Sequence, residues 1–138
     1  MSNFKSAAVQ RARSLVGVPF RPQGRDPATG LDCIGLVLCA FEIPELGVRR
    51  DYRLAGNDTS ELDGELRRFF RRRSAGRREA GDVILCITGR GQCHLAVECG
   101  GSFIHADARL RRVVETPGSP PWGLAAAYRR KITTSGSN

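Results

Sequence analysis

Cys33, His94 and His105 have the residue types and positions that suit nucleophilic catalysis in this 138-residue sequence. Cys33 follows Asp32 at the predicted start of a helix, where unpaired backbone N–H groups and the positive end of the helix dipole stabilise a thiolate. The same N–H groups offer donors to the oxyanion that forms when a carbonyl is attacked. Cys33 is therefore a better candidate nucleophile than the other four cysteines, which fall within predicted helices or strands.

The chain has two histidines, and each lies at one end of a predicted strand. The two strands are joined by the turn Gly100-Gly101, so His94 and His105 are expected to lie close together. A cysteine nucleophile needs an imidazole to take its proton and a third group to orient that base. Cys33, His94 and His105 supply one of each, although cysteines in apolar helices usually serve packing and strand histidines are often polar rim residues.

Zinc binding is an alternative use of the same region. Cys93, His94, Cys99 and His105 are four possible ligands in a short span. Neighbouring residues on a strand point to opposite faces, however, and the sequence has no Cys-x-x-Cys pair. We therefore expect neither a metal nor a cofactor.

The order of predicted elements indicates an α+β fold. Apolar periodicity predicts helices over residues 4–16, 32–41 and 62–70, with Asp32 as the N-cap of the second. Residues 18–30 are rich in proline, glycine and charge and are predicted to lack regular structure. Short β-prone runs follow at residues 82–88, 94–98, 103–106, 112–116 and 124–132. Helices followed by strands predict that the helices pack on one face of an antiparallel sheet.

Basic residues dominate the charge of the chain. The sequence has 22 Lys and Arg against 14 Asp and Glu, a formal charge of +8. The densest run comprises Arg67, Arg68, Arg71, Arg72, Arg73, Arg77 and Arg78. This run predicts either a polyanion-binding surface or a solvated helix face. No nucleic-acid-binding signature accompanies it, so nucleic acid is not the expected partner.

The N-terminal residues contain no apolar signal core, and no apolar run is long enough to span a membrane. We therefore expect a protein without a transmembrane segment that is made in the cytoplasm without its own secretion signal.

Four segments, in order, resemble the NlpC-type cell-wall peptidases, a papain-like superfamily. They are Leu15-Val16-Gly17-Val18-Pro19-Phe20, Asp32-Cys33-Ile34-Gly35-Leu36-Val37, Gly81-Asp82-Val83-Ile84-Leu85, and His94-Leu95-Ala96-Val97-Glu98 followed by Phe103-Ile104-His105-Ala106. The resemblance implies one NlpC-type domain over residues 1–132, and the small, polar composition of residues 133–138 predicts a frayed tail. The resemblance also implies that Cys33 is the nucleophile, His94 the general base and His105 the orienting residue.

The activity that this resemblance implies is hydrolysis of peptidoglycan stem peptides at the bond between D-γ-glutamate and diaminopimelate, without a metal or cofactor. Asp32, Ile34 and Phe20 are the implied substrate-binding positions. The family commonly has tyrosine where Phe20 stands and serine where Ile34 stands, so two polar groups near the nucleophile are replaced here.

The small size, the Cys-x-Gly-Leu form and the ending from Val113 to Trp122 look most like peptidases encoded with tail genes of phages, prophages and gene transfer agents. That likeness implies delivery to the cell wall by a phage-like particle and tail-tip proteins as partners. A catalytically silent structural or wall-binding tail component is the main alternative, and a basic nucleic-acid-binding or zinc-stabilised module is a further one.

Overall fold

The computed structural model describes residues 3–47, 59–88 and 91–131. Its helices are α1 (Asn3–Ser14), α2 (Cys33–Phe41) and α3 (Ser60–Leu66). Its strands are β1 (Arg25–Asp26), β2 (Gly30–Leu31), β3 (Phe70–Arg73), β4 (Val83–Ile87), β5 (Cys93–Glu98), β6 (Ser102–Asp107), β7 (Arg112–Pro117) and β8 (Gly123–Arg130). No helix in these ranges is long and apolar enough to cross a membrane.

One antiparallel sheet of six strands forms the body of the fold, in the order β3-β8-β4-β5-β6-β7. Strands β4 to β7 are consecutive neighbours, whereas β8 returns to pair with both β3 and β4. Strands β1 and β2 make a separate small hairpin ahead of α2. The predicted α+β class with an antiparallel sheet is confirmed.

The side chains of the sheet alternate between two hydrophobic clusters, as the period of a β-strand requires. Leu95 and Val97 of β5 belong to the main core, which also contains the buried residues of α1, α2 and α3. Ala96 lies in a smaller cluster with Ile84, Cys86 and Phe103, against which Trp122 and Leu124 pack. The sheet therefore has a helix-covered face and a second face with its own apolar cluster.

The start of α2 is fixed by a buried carboxylate. Asp32 is fully buried, and its Oδ1 accepts a hydrogen bond from Gly35 N at 2.8 Å, the side-chain bond expected of an N-cap. The same oxygen accepts from Arg25 Nη1 at 2.8 Å, and Oδ2 accepts from Gln23 N at 3.0 Å. One carboxylate thus joins the first turn of α2 to the loop and hairpin that precede it, as the prediction of Asp32 as N-cap required.

The packing around Gly35 explains why a glycine stands two positions after the candidate nucleophile. A Cβ built on Gly35 would lie 2.1 Å from the carbonyl oxygen of Gly24 and 3.0 Å from Leu31 Cδ2. Only a residue without a side chain lets the first turn of α2 lie this close to the backbone of the preceding loop. This close approach is what brings the Asp32 carboxylate within reach of Gln23 and Arg25.

Two predictions of local structure were wrong. The third helix ends at Leu66 rather than near Phe70, because Phe70 begins β3 and the following arginines pair with β8. Residues 18–30 are not entirely irregular, because they contain β1 and the first residue of β2. The predicted tail, 133–138, lies outside the described residues.

Gly35→Ala should destabilise the protein by roughly 1–3 kcal/mol or more, because the new methyl group meets backbone that cannot rotate away. Gly64→Ala is the matched control: Gly64 lies in α3, and a Cβ there would meet no atom within 4 Å. That control should be neutral or slightly stabilising, since alanine favours helix more than glycine does. Urea unfolding of the two variants measures both effects, and equal stabilities would contradict the packing argument.

Candidate active site

Cys33 is the first residue of α2 and is almost completely buried, with 4% of its surface exposed. Helix α2 packs against β5 and β6, the strands that carry the two histidines. Burial, and next the neighbouring thiol of Cys33, raise the pKa of Cys86 to about 12. Cys86 is the cross-strand partner of His94, so the Cys33 thiol acts electrostatically on a residue next to the candidate base.

His94 and His105 form a hydrogen-bonded pair. The distance from His94 Nε2 to His105 Nδ1 is 2.9 Å, and the two rings meet edge to face at 88°. His105 is buried, and its Nε2 lies 3.8 Å from Asp107 Oδ2. The three side chains therefore line up in the order His94, His105, Asp107.

Burial keeps both imidazoles neutral. Desolvation, and next the neighbouring His105, lower the pKa of His94 to about 4, while Asp107 opposes the shift. Burial also lowers the pKa of His105, again opposed by Asp107. At neutral pH His94 is therefore uncharged, which is the form that can accept a proton.

Trp122 covers the histidine pair, and sequence reasoning assigned it no role in the site. Its ring centroid lies 5.0 Å from that of His94 and 5.1 Å from that of His105, at angles of 80° and 72°. The residue follows the Pro120-Pro121 turn just before β8. Its signals in the sequence were that it is the single tryptophan and that it ends the Val113–Trp122 segment, and nothing in its spacing linked it to the histidines.

The three predicted substrate-binding positions differ in accessibility. Asp32 and Ile34 are fully buried, so neither side chain offers a surface to a substrate. Asp32 caps α2, and Ile34 packs in the main core because the second residue of the helix points inward, so their substrate contact stays a prediction. Phe20 is half-buried at the edge of the main core, and its proposed substrate contact stays a prediction.

Two solved structures of peptidoglycan hydrolases resemble the fold of this chain. RipB from Mycobacterium tuberculosis matches with a TM-score of 0.63 and 22% identity, over 93% of this chain and 65% of the RipB chain. The NlpC/p60 domain of the peptidoglycan hydrolase SagA matches with a TM-score of 0.63 and 22% identity, over 90% of this chain and 97% of that domain. This chain has the NlpC/p60 fold. The predicted NlpC-type architecture is thereby confirmed.

The NlpC/p60 fold is also found in a protein without catalytic activity. RipD from Mycobacterium tuberculosis, a non-catalytic NlpC/p60 domain protein adapted to peptidoglycan binding, matches with a TM-score of 0.60 and 17% identity, over 96% of this chain and 100% of RipD. The present chain spans less than two thirds of the RipB chain that it matches. No protein-family model matches the sequence, and no curated protein is significantly similar to it.

The four residues considered as zinc ligands do not converge in the NlpC/p60 fold. Cys93 lies in the main core, whereas the neighbouring His94 is bonded to His105 and packed on Trp122. Burial, and next Glu115, raise the pKa of Cys99 to about 11. Within the described ranges, no three His, Cys, Asp or Glu side chains are grouped to hold a metal ion.

Four of the seven arginines in the run are paired with carboxylates. Arg67 and Arg72 both contact Asp63, at 3.6 and 2.6 Å. Arg68 lies 2.8 Å from Glu65, and Arg78 lies 2.9 Å from Glu98. The alternative of a solvated surface is thus closer to the structure than a continuous polyanion-binding patch.

The histidine pKa values give a prediction about the pH dependence of stability. NMR titration should show His94 changing protonation near pH 4, and His105 below its usual value of about 6.5. The unfolded chain then binds protons first as the pH falls. The stability that the histidines contribute is full above about pH 6.5 and is lost between there and pH 4. His94→Gln should reduce that pH dependence in urea unfolding, and a measured His94 pKa at or above 6.5 would contradict its burial.

Proposed function

We propose that this protein is a cysteine peptidase that hydrolyses peptidoglycan stem peptides, with Cys33 as nucleophile. The observation that carries the proposal is the hydrogen-bonded His94–His105 pair on strands packed against the helix that Cys33 begins. The NlpC/p60 fold, shared with two peptidoglycan hydrolases, supports the substrate class.

The hydrogen bond between the imidazoles suggests how the proton moves. If His94 donates from Nε2 to His105 Nδ1, its own Nδ1 is left as the acceptor for the Cys33 proton. His105 then carries its proton on Nε2, on the side of Asp107. His94 takes the thiol proton as sulfur attacks the carbonyl carbon, and returns it to the leaving amine as the C–N bond breaks, which leaves a thioester on Cys33. Water then gives a proton to His94 as it attacks the thioester carbonyl, and that proton returns to sulfur as the C–S bond breaks, so the acid is released and the thiol is restored. Asp107 balances the positive charge that develops on the pair, as the direction of its effect on both pKa values indicates.

Three of the four other thiols are poorly suited to attack. Burial raises the pKa of Cys86 and of Cys99, to about 12 and about 11. Burial, and next Asp26, raise the pKa of Cys39. Since the thiolate is the nucleophilic form, these three residues are mostly protonated at neutral pH and therefore weak nucleophiles.

Trp122 would shield the histidine pair from water on one side. A buried hydrogen bond is stronger where water is excluded, because the local dielectric is lower. The ring also limits the rotation of both imidazoles. A general base must not rotate freely, because its nitrogen has to stay directed at the thiol. Trp122 is therefore assigned as a positioning residue for the proposed base.

The finer proposal is cleavage between D-γ-glutamate and diaminopimelate by an enzyme delivered from the cytoplasm by a phage-like tail. It is supported by the resemblance of the Cys-x-Gly-Leu segment and of the Val113–Trp122 ending to tail-encoded peptidases. Tail genes next to the coding sequence would support delivery by a particle. A gene embedded among cell-division functions would contradict it.

A non-catalytic wall-binding protein is the second candidate. The observation in its favour is the match to RipD, which covers the whole of that protein. Against it stands the coincidence of a cysteine at a helix start and a bonded histidine pair, which binding alone does not require.

Activity on a γ-D-glutamyl-diaminopimelate peptide distinguishes the two candidates. Cys33→Ala should abolish release of the amine, and His94→Ala should reduce the rate by about 10²- to 10⁴-fold. His105→Ala should leave more activity, because water can replace part of an orienting group. Cys39→Ala is the matched control and should keep the wild-type rate. If wild type and Cys33→Ala are equally inert but both bind sacculi, the non-catalytic candidate replaces the enzyme.

A further inference from the structure

The turn between β6 and β7 exposes three arginines. Arg109, Arg111 and Arg112 are all exposed, and they flank Leu110, an exposed large apolar side chain with 51% of its surface accessible. Within the described part of the chain, no carboxylate forms an ion pair with these three guanidinium groups. The uncompensated positive charge of this turn therefore contrasts with the paired arginines that follow α3.

The backbone at Arg111 is in a conformation that arginine disfavours. Its φ is 65°, in the left-handed region where a residue with a side chain costs roughly 1 kcal/mol or more and glycine costs little. Glycine would suit the turn better, so the arginine side chain is present at a cost to stability. Such a residue is a reason to look for a function of its side chain.

This turn is connected to both halves of the candidate site. Asp107, which lies beside His105, accepts hydrogen bonds at Oδ1 from the N–H groups of Arg109 and Leu110, at 2.8 and 3.0 Å. On the other side, Phe20 N donates to the carbonyl of Arg111 at 2.9 Å. The adjoining Pro19 carbonyl accepts from Leu31 N, two residues before Cys33. The backbone of the turn is thus bonded on one side to the residue beside His105 and on the other to the segment that pairs with Leu31.

We infer that Arg109, Arg111 and Arg112 bind a carboxylate of the peptide substrate and give the site a preference for acidic stem peptides. This inference rests on the proposed function. A D-glutamate linked through its γ-carboxyl keeps its α-carboxylate free, next to the bond that is cut. A guanidinium matches a carboxylate with two parallel N–H donors, whereas an amide in the same place offers no charge. The exposed Leu110 supplies an apolar contact between the three cations.

The test compares two synthetic peptides that differ in one group, the free α-carboxylate of D-glutamate or its α-amide. Wild type should prefer the acid, and the variant with Arg109, Arg111 and Arg112 all changed to Gln should lose that preference. The expected change is a rise in KM for the acid of about fivefold or more, the size of one or more exposed ion pairs, with kcat nearly unchanged. Arg71→Gln with Arg77→Gln is the control that removes two positive charges elsewhere, since these arginines are also exposed and form no ion pair within the described residues. An unchanged acid preference in the triple variant would overturn the inference.

Arg111→Gly gives a second readout that does not depend on the triple variant. Glycine relieves the left-handed backbone, so the midpoint of thermal unfolding should rise by a few degrees. The same variant should bind the acid peptide more weakly. A gain in stability without any loss of affinity would assign the arginine no part in binding.

Binding measured on the Cys33→Ala background separates this inference from the proposed activity. If that protein binds the acid peptide more tightly than the amide, and the preference needs the three arginines, the carboxylate site stands even where wild type cleaves nothing. If wild type cleaves both peptides equally and the triple variant does the same, the result supports the proposed peptidase activity and contradicts the carboxylate site. Loss of binding to polyphosphate in the triple variant, without any change for the acid peptide, would assign the turn to a phosphate polymer and overturn the inference.

Discussion

The candidate site depends on the hydrogen bonds and the ion pair that the buried carboxylate of Asp32 makes. This carboxylate is removed from water, and a buried carboxylate is tolerated only where hydrogen bonds and a cation replace its hydration. Gly35 N, Gln23 N and Arg25 supply those partners, so the residue that caps α2 also holds the β1–β2 hairpin against it. The position of Cys33, the next residue, follows from this arrangement and from the absence of a side chain at Gly35.

The sequence predicted what short-range physics determines. Helix α2, its cap and the strands β4 to β8 follow from apolar periodicity and glycine turns, and the histidine pair followed from two strands joined by one turn. Strand β3 was missed because Phe70 to Arg73 is a strand only by pairing with β8, which lies far along the chain. The same limit hid Trp122, which reaches the histidines through packing alone.

The distribution of charge over the surface was the property that composition predicted least well. The sequence gives the number of arginines in the run. The electrostatic potential that they create depends on which carboxylates contact them in the folded protein. Asp63 illustrates this, because it contacts Arg67 and Arg72 and also accepts a hydrogen bond from the hydroxyl of Tyr128. Its pKa is lowered against the opposing effect of burial, so it stays ionised and offsets the cations around it.

The order of strands has a consequence for how the chain is made. Strand β8 sits between β3 and β4, although it is the last strand in sequence, and Phe70 pairs with Arg130. During synthesis β3 and β4 therefore leave the ribosome with unpaired edges and wait until residue 130 has emerged. Such edges are templates for pairing with other chains, and non-local pairing of this kind slows folding. Ribosome-bound chains that stop short of β8 would then be the species most exposed to aggregation and proteolysis, however stable the finished sheet is.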